Sequence, residues 1–177
     1  IYFNNIKTNK ILNNQYTAYV PQHDDLNNIL SVFETLYFYL SLRNLTHLKV
    51  EQYQAHIYKY LKVLGLYAVK DRIIGNNMSG GQIKRISIAK ALIAEPKILY
   101  LDEPTSGLSS CDSQLLIDTL RSIVDTTGAT LISVIHQPRT SVFQQFDNLI
   151  LLSNGSPIYI GKIDQIMNYM NKIGIKK

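Results

Sequence analysis

A serine and two glycines stand directly before a segment with helical spacing, a combination typical of a phosphate-binding site. The tetrapeptide Ser79-Gly80-Gly81-Gln82 leads into a stretch of small, basic and branched apolar residues. The free N–H groups and the positive dipole end of such a helix start attract anions. We therefore predict that these four residues, called the signature segment below, contact a phosphate. A simple N-cap with a flexible lead is the alternative interpretation.

Two adjacent carboxylates follow a short apolar run further along the chain. Residues 98–101 read Ile-Leu-Tyr-Leu and lead directly into Asp102 and Glu103. Mg²⁺ prefers oxygen ligands and is commonly held by a carboxylate together with phosphate oxygens and water. We predict that Asp102 holds the ion and that Glu103 orients or deprotonates an attacking water. A polar turn after a strand is the competing interpretation.

Two further apolar runs also end at a polar side chain. Residues 16–20 lead to Gln22, and residues 130–135 lead to His136. In open parallel sheets, ligands bind outside the carboxyl ends of the strands. If the three strands are parallel neighbours, all four polar residues emerge at one edge. Gln22 then offers an amide oxygen to the ion or the water, and His136 contacts the γ-phosphate. This positioning is most of what phosphoryl transfer requires.

Between these groups the chain alternates strand and helix patterns. Ser31 and Glu34 form a capping box that begins a helix running through Leu42. A second helix is predicted from the apolar spacing of Val50, Tyr53, Ile57, Leu61 and Leu64, with Gly65 as its left-handed cap. A polar connector follows at 71–78. Further helices are predicted at about 80–94 and at 114–124, and strands at 97–101, 130–135 and 149–152. Asn154-Gly155 predicts a hairpin turn into a strand at 158–160.

The composition limits the possible classes of protein. The 177 residues are 46% hydrophobic with a net charge of +5, which suits one globular domain. The alternation of strand and helix patterns predicts that this domain is of the α/β class. A single cysteine, Cys111, excludes an intrachain disulfide and fits a reducing compartment. No apolar run approaches the roughly 20 residues that cross a bilayer. We expect a fragment of a longer protein.

The order and spacing of these motifs resemble the nucleotide-binding domain of an ATP-binding cassette (ABC) protein across nearly the whole chain. The signature segment resembles the family's signature motif, and residues 98–102 with Glu103 resemble its Walker B strand and catalytic glutamate. Gln22 resembles the Q-loop glutamine and His136 the switch histidine. The implied fold is a P-loop NTPase-like, mainly parallel sheet with flanking helices and an inserted α-helical subdomain. On this layout, residues 23–78 are that subdomain with its connector, and 1–22 and 79–177 are parts of the ATPase core.

Finer marks resemble subfamily G, the White-type half-transporters. They are Ile135-His136-Gln137-Pro138-Arg139, the run from Phe146 to Leu152, Asn154-Gly155, Tyr159-Ile160-Gly161, the run from Tyr19 to Asp24, and Phe33-Glu34-Thr35-Leu36. Two departures from the family stand beside them. The P-loop pattern G-x-x-x-x-G-K-[ST] is absent, and family layout would place it upstream of Ile1. Ser109 stands where the family's D-loop usually has an aspartate, so a charge is missing there.

The resemblance implies ATP hydrolysis with Mg²⁺, driving transmembrane transport, with export of lipids, sterols or hydrophobic small molecules expected. It implies two partners: a second nucleotide-binding domain, identical or different, and a transmembrane domain outside this chain. The signature segment would then contact the partner's ATP. We expect a location at the cytosolic face of a membrane, no nucleic-acid partner, and no hydrolysis by residues 1–177 alone. Two alternatives stay open: a soluble cassette ATPase acting on nucleic acid or ribosomes, and a catalytically incomplete regulatory cassette.

Overall fold

The computed structural model describes residues 2–3, 6–7, 16–23, 26–43, 48–75 and 77–174. Asp24, one of the subfamily marks, lies outside these ranges. The strands are β1 Tyr2–Phe3, β2 Ile6–Lys7, β3 Thr17–Val20, β4 Ile98–Asp102, β5 Thr130–Val134, β6 Asn148–Ser153 and β7 Ser156–Lys162. The helices are α1 Val32–Arg43, α2 Tyr53–Val63, α3 Gly80–Leu92, α4 Ser110–Thr127, α5 Thr140–Phe143 and α6 Ile166–Lys172. Short 3₁₀ turns lie at Val50–Gln52, Tyr67–Val69 and Ile163–Gln165.

Strands β3, β4 and β5 form a parallel sheet in that spatial order, as the sequence predicts. Val20 pairs with Leu101, and Asp102 pairs with Val134, so the three strands end together. The strands are short, β-branched or aromatic in content, and connected through helices, which favours parallel pairing. The carboxyl edge of this sheet therefore carries the residues that follow each strand.

The two faces of the sheet differ in their burial. Ala18, Val20, Leu99 and Leu101 point into the core and are each no more than 5% exposed. Their neighbours point the other way because side chains alternate along a strand. On that second face a row of exposed side chains crosses the sheet in register: Tyr19, Tyr100 and Ile132. Helix α3 packs against β3, and this contact sets the distance between the helix start and the sheet edge.

The capping box predicted at the start of α1 is confirmed. The Ser31 amide and hydroxyl both donate to the Glu34 carboxylate at 2.8 Å, and the Glu34 amide donates back to Ser31 Oγ at 3.2 Å. These bonds satisfy donors that a helix start otherwise leaves unpaired. They also lower the pKa of Glu34, because both bonds favour the charged carboxylate.

The second predicted helix is confirmed, with one correction at its start. Tyr53, Ile57 and Leu61 are buried along one face of α2, and Gly65 ends it with a left-handed φ of 66°. Val50 is wrongly placed in that apolar face, because it lies in a 3₁₀ turn and is 61% exposed. A 3₁₀ turn has three residues per turn, so Val50 is out of phase with the helix that follows.

The segment predicted as a polar connector carries apolar anchors among its described residues, 71–75 and 77–78. Ile73 forms an isolated antiparallel bridge with Ser31, and Ile74 is 3% exposed. The Ile74 amide also donates to the carbonyl of Leu30 at 3.0 Å. The segment predicted as a polar connector therefore also contributes one buried apolar side chain, Ile74, and its backbone bonds tie it to the entrance of α1.

Helix α4 is longer than the predicted 114–124 because both of its ends are capped. Ser109 accepts a hydrogen bond from the Asp112 amide at the N-terminus, and Gly128 adopts a left-handed φ of 67° at the C-terminus. Its core face is as predicted, with Leu116, Leu120 and Ile123 buried. Glycine suits the C-terminal position because a Cβ there would be strained.

The chain divides into two compact units, Ile1–His136 and Gln137–Lys177. Within the second unit β6 and β7 form the predicted antiparallel hairpin, with an irregularity between Leu151 and Leu152. Its turn residues Asn154 and Gly155 have φ of 48° and 75°, which is the pattern of a two-residue hairpin turn. In the described part of the chain, no helix combines the length and apolar character that crossing a bilayer demands.

Candidate active site

Gln22 and Glu103 meet at the carboxyl edge of the parallel sheet. Gln22 Nε2 donates to Glu103 Oε2 at 2.9 Å. Because the amide nitrogen faces the carboxylate, the amide oxygen of Gln22 is the atom left to accept from a water or bind a cation. The two residues that the sequence analysis predicts to act on the attacking water are thus in contact.

The backbone of Glu103 is held in an uncommon conformation. Its φ is +45°, a region that costs a non-glycine residue about 1–3 kcal/mol and is frequent at functional sites. The Glu103 amide donates to the carbonyl of Val134 on β5 at 2.9 Å, which stabilises this turn. The hydrogen bond to β5 therefore fixes the backbone of Glu103 and with it the direction of its side chain.

Asp102 is contacted by a side chain that the sequence analysis did not single out. The hydroxyl of Tyr19, on β3, donates to Asp102 Oδ2 at 2.9 Å. This hydrogen bond raises the pKa of Tyr19, so the phenol stays protonated and remains a donor at neutral pH. Tyr19 and Asp102 lie on the same face of adjacent strands, and the strand register brings them together.

His136 follows the end of β5 and is exposed. Since β5 pairs in parallel with β4, His136 belongs to the same sheet edge as Asp102 and Glu103. The predicted convergence of the four residues at one edge is thus confirmed for the backbone. Contact is present between Gln22 and Glu103, whereas the described contacts do not join His136 to either of them.

The signature segment forms the start of α3. Ser79 is the N-cap: its Oγ accepts from the Gln82 amide at 3.2 Å, and its amide donates to Gln82 Oε1 at 3.1 Å. Ser79 and Gly80 are exposed, and a Cβ at Gly80 would lie 4.0 Å from the Gly107 carbonyl oxygen. Gly81 is buried, and a Cβ there would stand 3.3 Å from Asp112 Oδ1. The segment is an outward-facing, capped helix start.

Lys84 is a site residue that the sequence analysis missed. Its side chain is buried, at 3% exposure, and Nζ donates to the carbonyls of Gln22 at 2.9 Å and Pro21 at 3.3 Å. A sequence signal was available, because Lys84 stands three residues after Gly81 and four before Ile88, both on the buried face of α3. A lysine at a helical position that faces the core predicts a buried ammonium group with specific hydrogen-bond acceptors.

In the region that resembles the D-loop, a carboxylate lies close to Ser109 although residue 109 itself is uncharged. Ser109 Oγ donates to Asp112 Oδ2 at 2.7 Å and accepts from the Asp112 amide at 3.1 Å. The other oxygen of Asp112 lies 3.9 Å from an Arg85 guanidinium nitrogen on α3. Asp112 was not predicted, and it places a carboxylate beside Ser109, where the sequence analysis expects a missing charge.

An open cleft of about 490 Å³ joins these elements within the unit Ile1–His136. Its lining includes Gln22, Gly80, Lys84, Ser106 and Gly107. Gln22 and the signature segment therefore border the same space, and Lys84 also lines it.

The donor set fits a cation that is completed by a substrate's phosphates. In the part of the chain that the structure describes, no three His, Cys, Asp or Glu side chains come together as a metal cage. Mg²⁺ usually keeps several waters and takes only one or two carboxylates along with phosphate oxygens. Asp102 with the amide oxygen of Gln22 matches that limited contribution.

A parallel sheet flanked by helices, with an acidic pair and a glutamine at its carboxyl edge and a capped helix start beside them, defines a P-loop NTPase-like α/β domain. The model of the ABC transporter family matches residues 2–106. The chain belongs to the ABC transporter family.

Individual relatives agree with the subfamily resemblance. The chain is 36% identical over 99% of its length to ABC transporter G family member 5 of Arabidopsis thaliana. It is 33% identical over 98% of its length to ABC transporter G family member 1 of Dictyostelium discoideum. It is 39% identical over 89% of its length to a probable ATP-dependent permease of Saccharomyces cerevisiae. The chain spans only 27%, 23% and 15% of these three relatives.

Proposed function

We propose that this chain is the ATP-hydrolysing part of a subfamily G-like transporter. The observation that carries the proposal is the contact between Gln22 and Glu103 beside Asp102, at the carboxyl edge of the sheet. Glu103 orients the attacking water or accepts a proton from it. Gln22 hydrogen-bonds Glu103 and positions the water beside that carboxylate. His136 approaches the γ-phosphate from the end of β5. Positioning and charge compensation of this kind are the main demands of phosphoryl transfer.

Asp102 and the amide oxygen of Gln22 are proposed to hold Mg²⁺ together with the phosphates of ATP. The ion supplies neutralisation of the charge that develops on the transferring phosphoryl group. Tyr19 keeps one oxygen of Asp102 engaged, which leaves the other oxygen directed to the ion or to its waters. This is the familiar arrangement in which an outer hydrogen bond orients a ligand.

The signature segment is proposed to serve an ATP molecule held by a second nucleotide-binding domain. Its exposed helix start offers free amides and a serine hydroxyl to a phosphate that arrives from outside this chain. The ATP bound by this chain in turn needs a P-loop, and the pattern G-x-x-x-x-G-K-[ST] is absent from residues 1–177. We place the P-loop in the part of the protein that these residues do not span, so residues 1–177 alone are proposed to be inactive.

The transport role places this domain at the cytosolic face of a membrane, docked on a transmembrane domain of the same protein. The named relatives in Arabidopsis thaliana and Dictyostelium discoideum are ABC transporters of the G family. Export of lipids, sterols or other hydrophobic small molecules is the proposed use of the hydrolysis energy. Nucleic acid is not among the proposed partners.

The experiment that tests the proposal is Glu103→Gln in the full-length protein. The amide keeps the shape but cannot accept a proton, so we expect ATPase turnover to fall by about 10²–10⁴-fold. Binding of ATP and ATP-stabilised dimerisation should persist, because Glu103 acts on the water and not on nucleotide affinity. Turnover by phosphate release and dimerisation by gel filtration measure the two properties.

Glu51→Gln is the matched control, because Glu51 lies in an exposed 3₁₀ turn away from the sheet edge. This control should keep wild-type turnover. Full turnover in Glu103→Gln, or equal losses in both variants, would contradict the role proposed for Glu103.

A further inference from the structure

Lys84 is the only charged side chain in the buried set among the described residues. A buried ammonium is costly unless it is hydrogen-bonded, because burial removes the hydration of the charge. Two of its acceptors are the carbonyls of Pro21 and Gln22, where the chain leaves β3. Their spacing lets one ammonium bind two consecutive peptide units and so restrict the turn between them.

The residue held in this way is the one that contacts Glu103. The Gln22 carbonyl accepts from Lys84, and its side-chain nitrogen donates to the Glu103 carboxylate, both at 2.9 Å. Lys84 itself belongs to α3, the helix that starts at the N-cap Ser79. A continuous set of contacts therefore runs from the signature segment through α3 and Lys84 to the Gln22–Glu103 pair.

We propose that Lys84 is a positioning residue that ties the start of α3 to Gln22, so that occupation of the signature segment sets the placement of Gln22 and Glu103. A helix transmits displacement along its length because its backbone hydrogen bonds keep it rigid. A phosphate bound at Ser79–Gly81 would fix α3, and Lys84 would pass that restraint to the turn after β3. A dimer of two such domains holds two ATP molecules. Lys84 would then link the ATP bound by the partner domain, which the signature segment contacts, to the ATP that this chain hydrolyses.

This inference rests on the proposed function and makes a distinct kinetic claim. The two hydrogen bonds described for Lys84 are to backbone carbonyls, so we expect its loss to disturb the chemical step more than nucleotide binding. A change in kcat with KM unchanged indicates an interaction that matters in the transition state. A purely structural lysine would instead lower folding stability and the amount of active protein, with the kinetic constants of the folded fraction unchanged.

The test is Lys84→Met in the full-length protein, with Lys90→Met on the same helix as the control. Lys90 lies 5.2 Å from the Tyr39 ring and away from the turn after β3. We expect Lys84→Met to lower kcat by about tenfold or more, with the Kd for a non-hydrolysable ATP analogue within about threefold of wild type. Active-site titration with that analogue corrects both values for unfolded protein. Lys90→Met should match wild type in both quantities.

A double-mutant cycle with Gln22→Ala tests the connection itself. If Lys84 acts through Gln22, the double variant should be no slower than Gln22→Ala alone, whereas independent effects would multiply. If Lys84→Met does not fold, Lys84→Gln retains a donor and takes its place in both measurements. The inference would be overturned if Lys84→Met left kcat unchanged, or if the effects of Lys84→Met and Gln22→Ala on kcat multiplied in the double variant. Absence of ATPase activity in the wild-type protein would instead contradict the proposed function.

Discussion

Single residues at this site are held by partners that are distant in sequence. Asp102 illustrates this, because its carboxylate accepts a hydrogen bond from Tyr19 on the neighbouring strand. Glu103 likewise depends on Val134 in β5 and on Gln22 in the turn after β3. Each carboxylate is thus oriented by groups of the protein itself. Such preorganisation reduces the reorganisation required during phosphoryl transfer.

The Tyr19 contact leads to a prediction for metal dependence. Tyr19→Phe removes the donor to Asp102 while keeping the ring. Outer partners of metal ligands typically contribute about 10–100-fold to metal affinity, so the Mg²⁺ concentration for half-maximal ATPase activity should rise by about tenfold. Binding of Mn²⁺ to the protein with a non-hydrolysable ATP analogue, followed by electron paramagnetic resonance, should weaken in parallel.

Tyr100→Phe is the control for this change. Tyr100 lies beside Tyr19 on the same sheet face and is exposed, but the described contacts do not join its hydroxyl to Asp102. Its Mg²⁺ dependence should match that of wild type. Identical curves for wild type and Tyr19→Phe would show that the hydrogen bond does not orient Asp102 in the working enzyme.

At the level of secondary structure, three helices begin with a serine cap. Serine N-caps begin α3 and α4, and Ser31 with Glu34 caps the entrance of α1. The caps satisfy backbone donors locally, and two of them lie within the proposed nucleotide machinery. The same short motif therefore stabilises helices and aims their N-termini.

The cap of α1 predicts a pH-dependent contribution to stability. Hydrogen bonds from Ser31 lower the pKa of Glu34 in the folded protein. The stabilisation is therefore present above the unfolded-state pKa of about 4.3 and is lost as the pH falls through the lower folded-state value. Glu34→Gln should reduce the thermal unfolding midpoint at pH 7, and the difference from wild type should shrink as the pH falls below about 4.

Glu51→Gln again supplies the comparison, since Glu51 is exposed and lies outside this cap. Its unfolding midpoint should follow wild type at every pH. A gap between Glu34→Gln and wild type that stays constant from pH 7 to the acid range would contradict a stabilising role for the Glu34 carboxylate.

The cap of α4 yields a prediction about the D-loop. Ser109→Asp restores the usual family residue but places a second carboxylate against Asp112, in place of the hydroxyl that donates to it at 2.7 Å. We expect this variant to lose about 1 kcal/mol of unfolding free energy, because it loses the hydroxyl donor to Asp112 and sets two carboxylates against each other, while the new carboxylate can still accept from the Asp112 amide. Urea unfolding monitored by circular dichroism measures the change.

The exchanged pair Ser109→Asp with Asp112→Ser keeps one carboxylate and one hydroxyl at the same two positions. Its stability should return towards the wild-type value, because the repulsion is removed and an N-cap acceptor remains. If Ser109→Asp alone is as stable as wild type, the Ser109–Asp112 hydrogen bond does not contribute to the helix start.

On the scale of the whole molecule, the described parallel sheet leaves the outer edge of β5 and part of one face exposed. Among the described residues β5 pairs only with β4, and Ile132 and Val134 on β5 are 44% and 61% exposed. The row of Tyr19, Tyr100 and Ile132 crosses the same face of the sheet. These features agree with the proposal that a P-loop and a partner domain complete the ATPase.

Much of the architecture was predictable from local patterns. The capping box of α1, the apolar faces of α2 and α4, and the Asn154-Gly155 hairpin depend on residues close together in the sequence. The shared edge for Gln22, Asp102, Glu103 and His136 followed from three apolar runs and the rule for parallel strands. Val50 was wrongly placed because a local 3₁₀ turn changes the helical phase, whereas the anchoring of the connector at 71–78 was missed because its bridge to Ser31 joins residues distant in the chain.

The sequence by itself thus determined the order of the elements, their caps and the residues that reach the functional edge. Only the tertiary structure decided how those residues are held: Lys84 on the backbone of Gln22, Tyr19 on Asp102, and Arg85 beside Asp112. The physical reason is that caps and periodic faces are satisfied within a few residues. These side-chain contacts instead depend on strand register and on helix packing, which bring together residues that are distant in the chain.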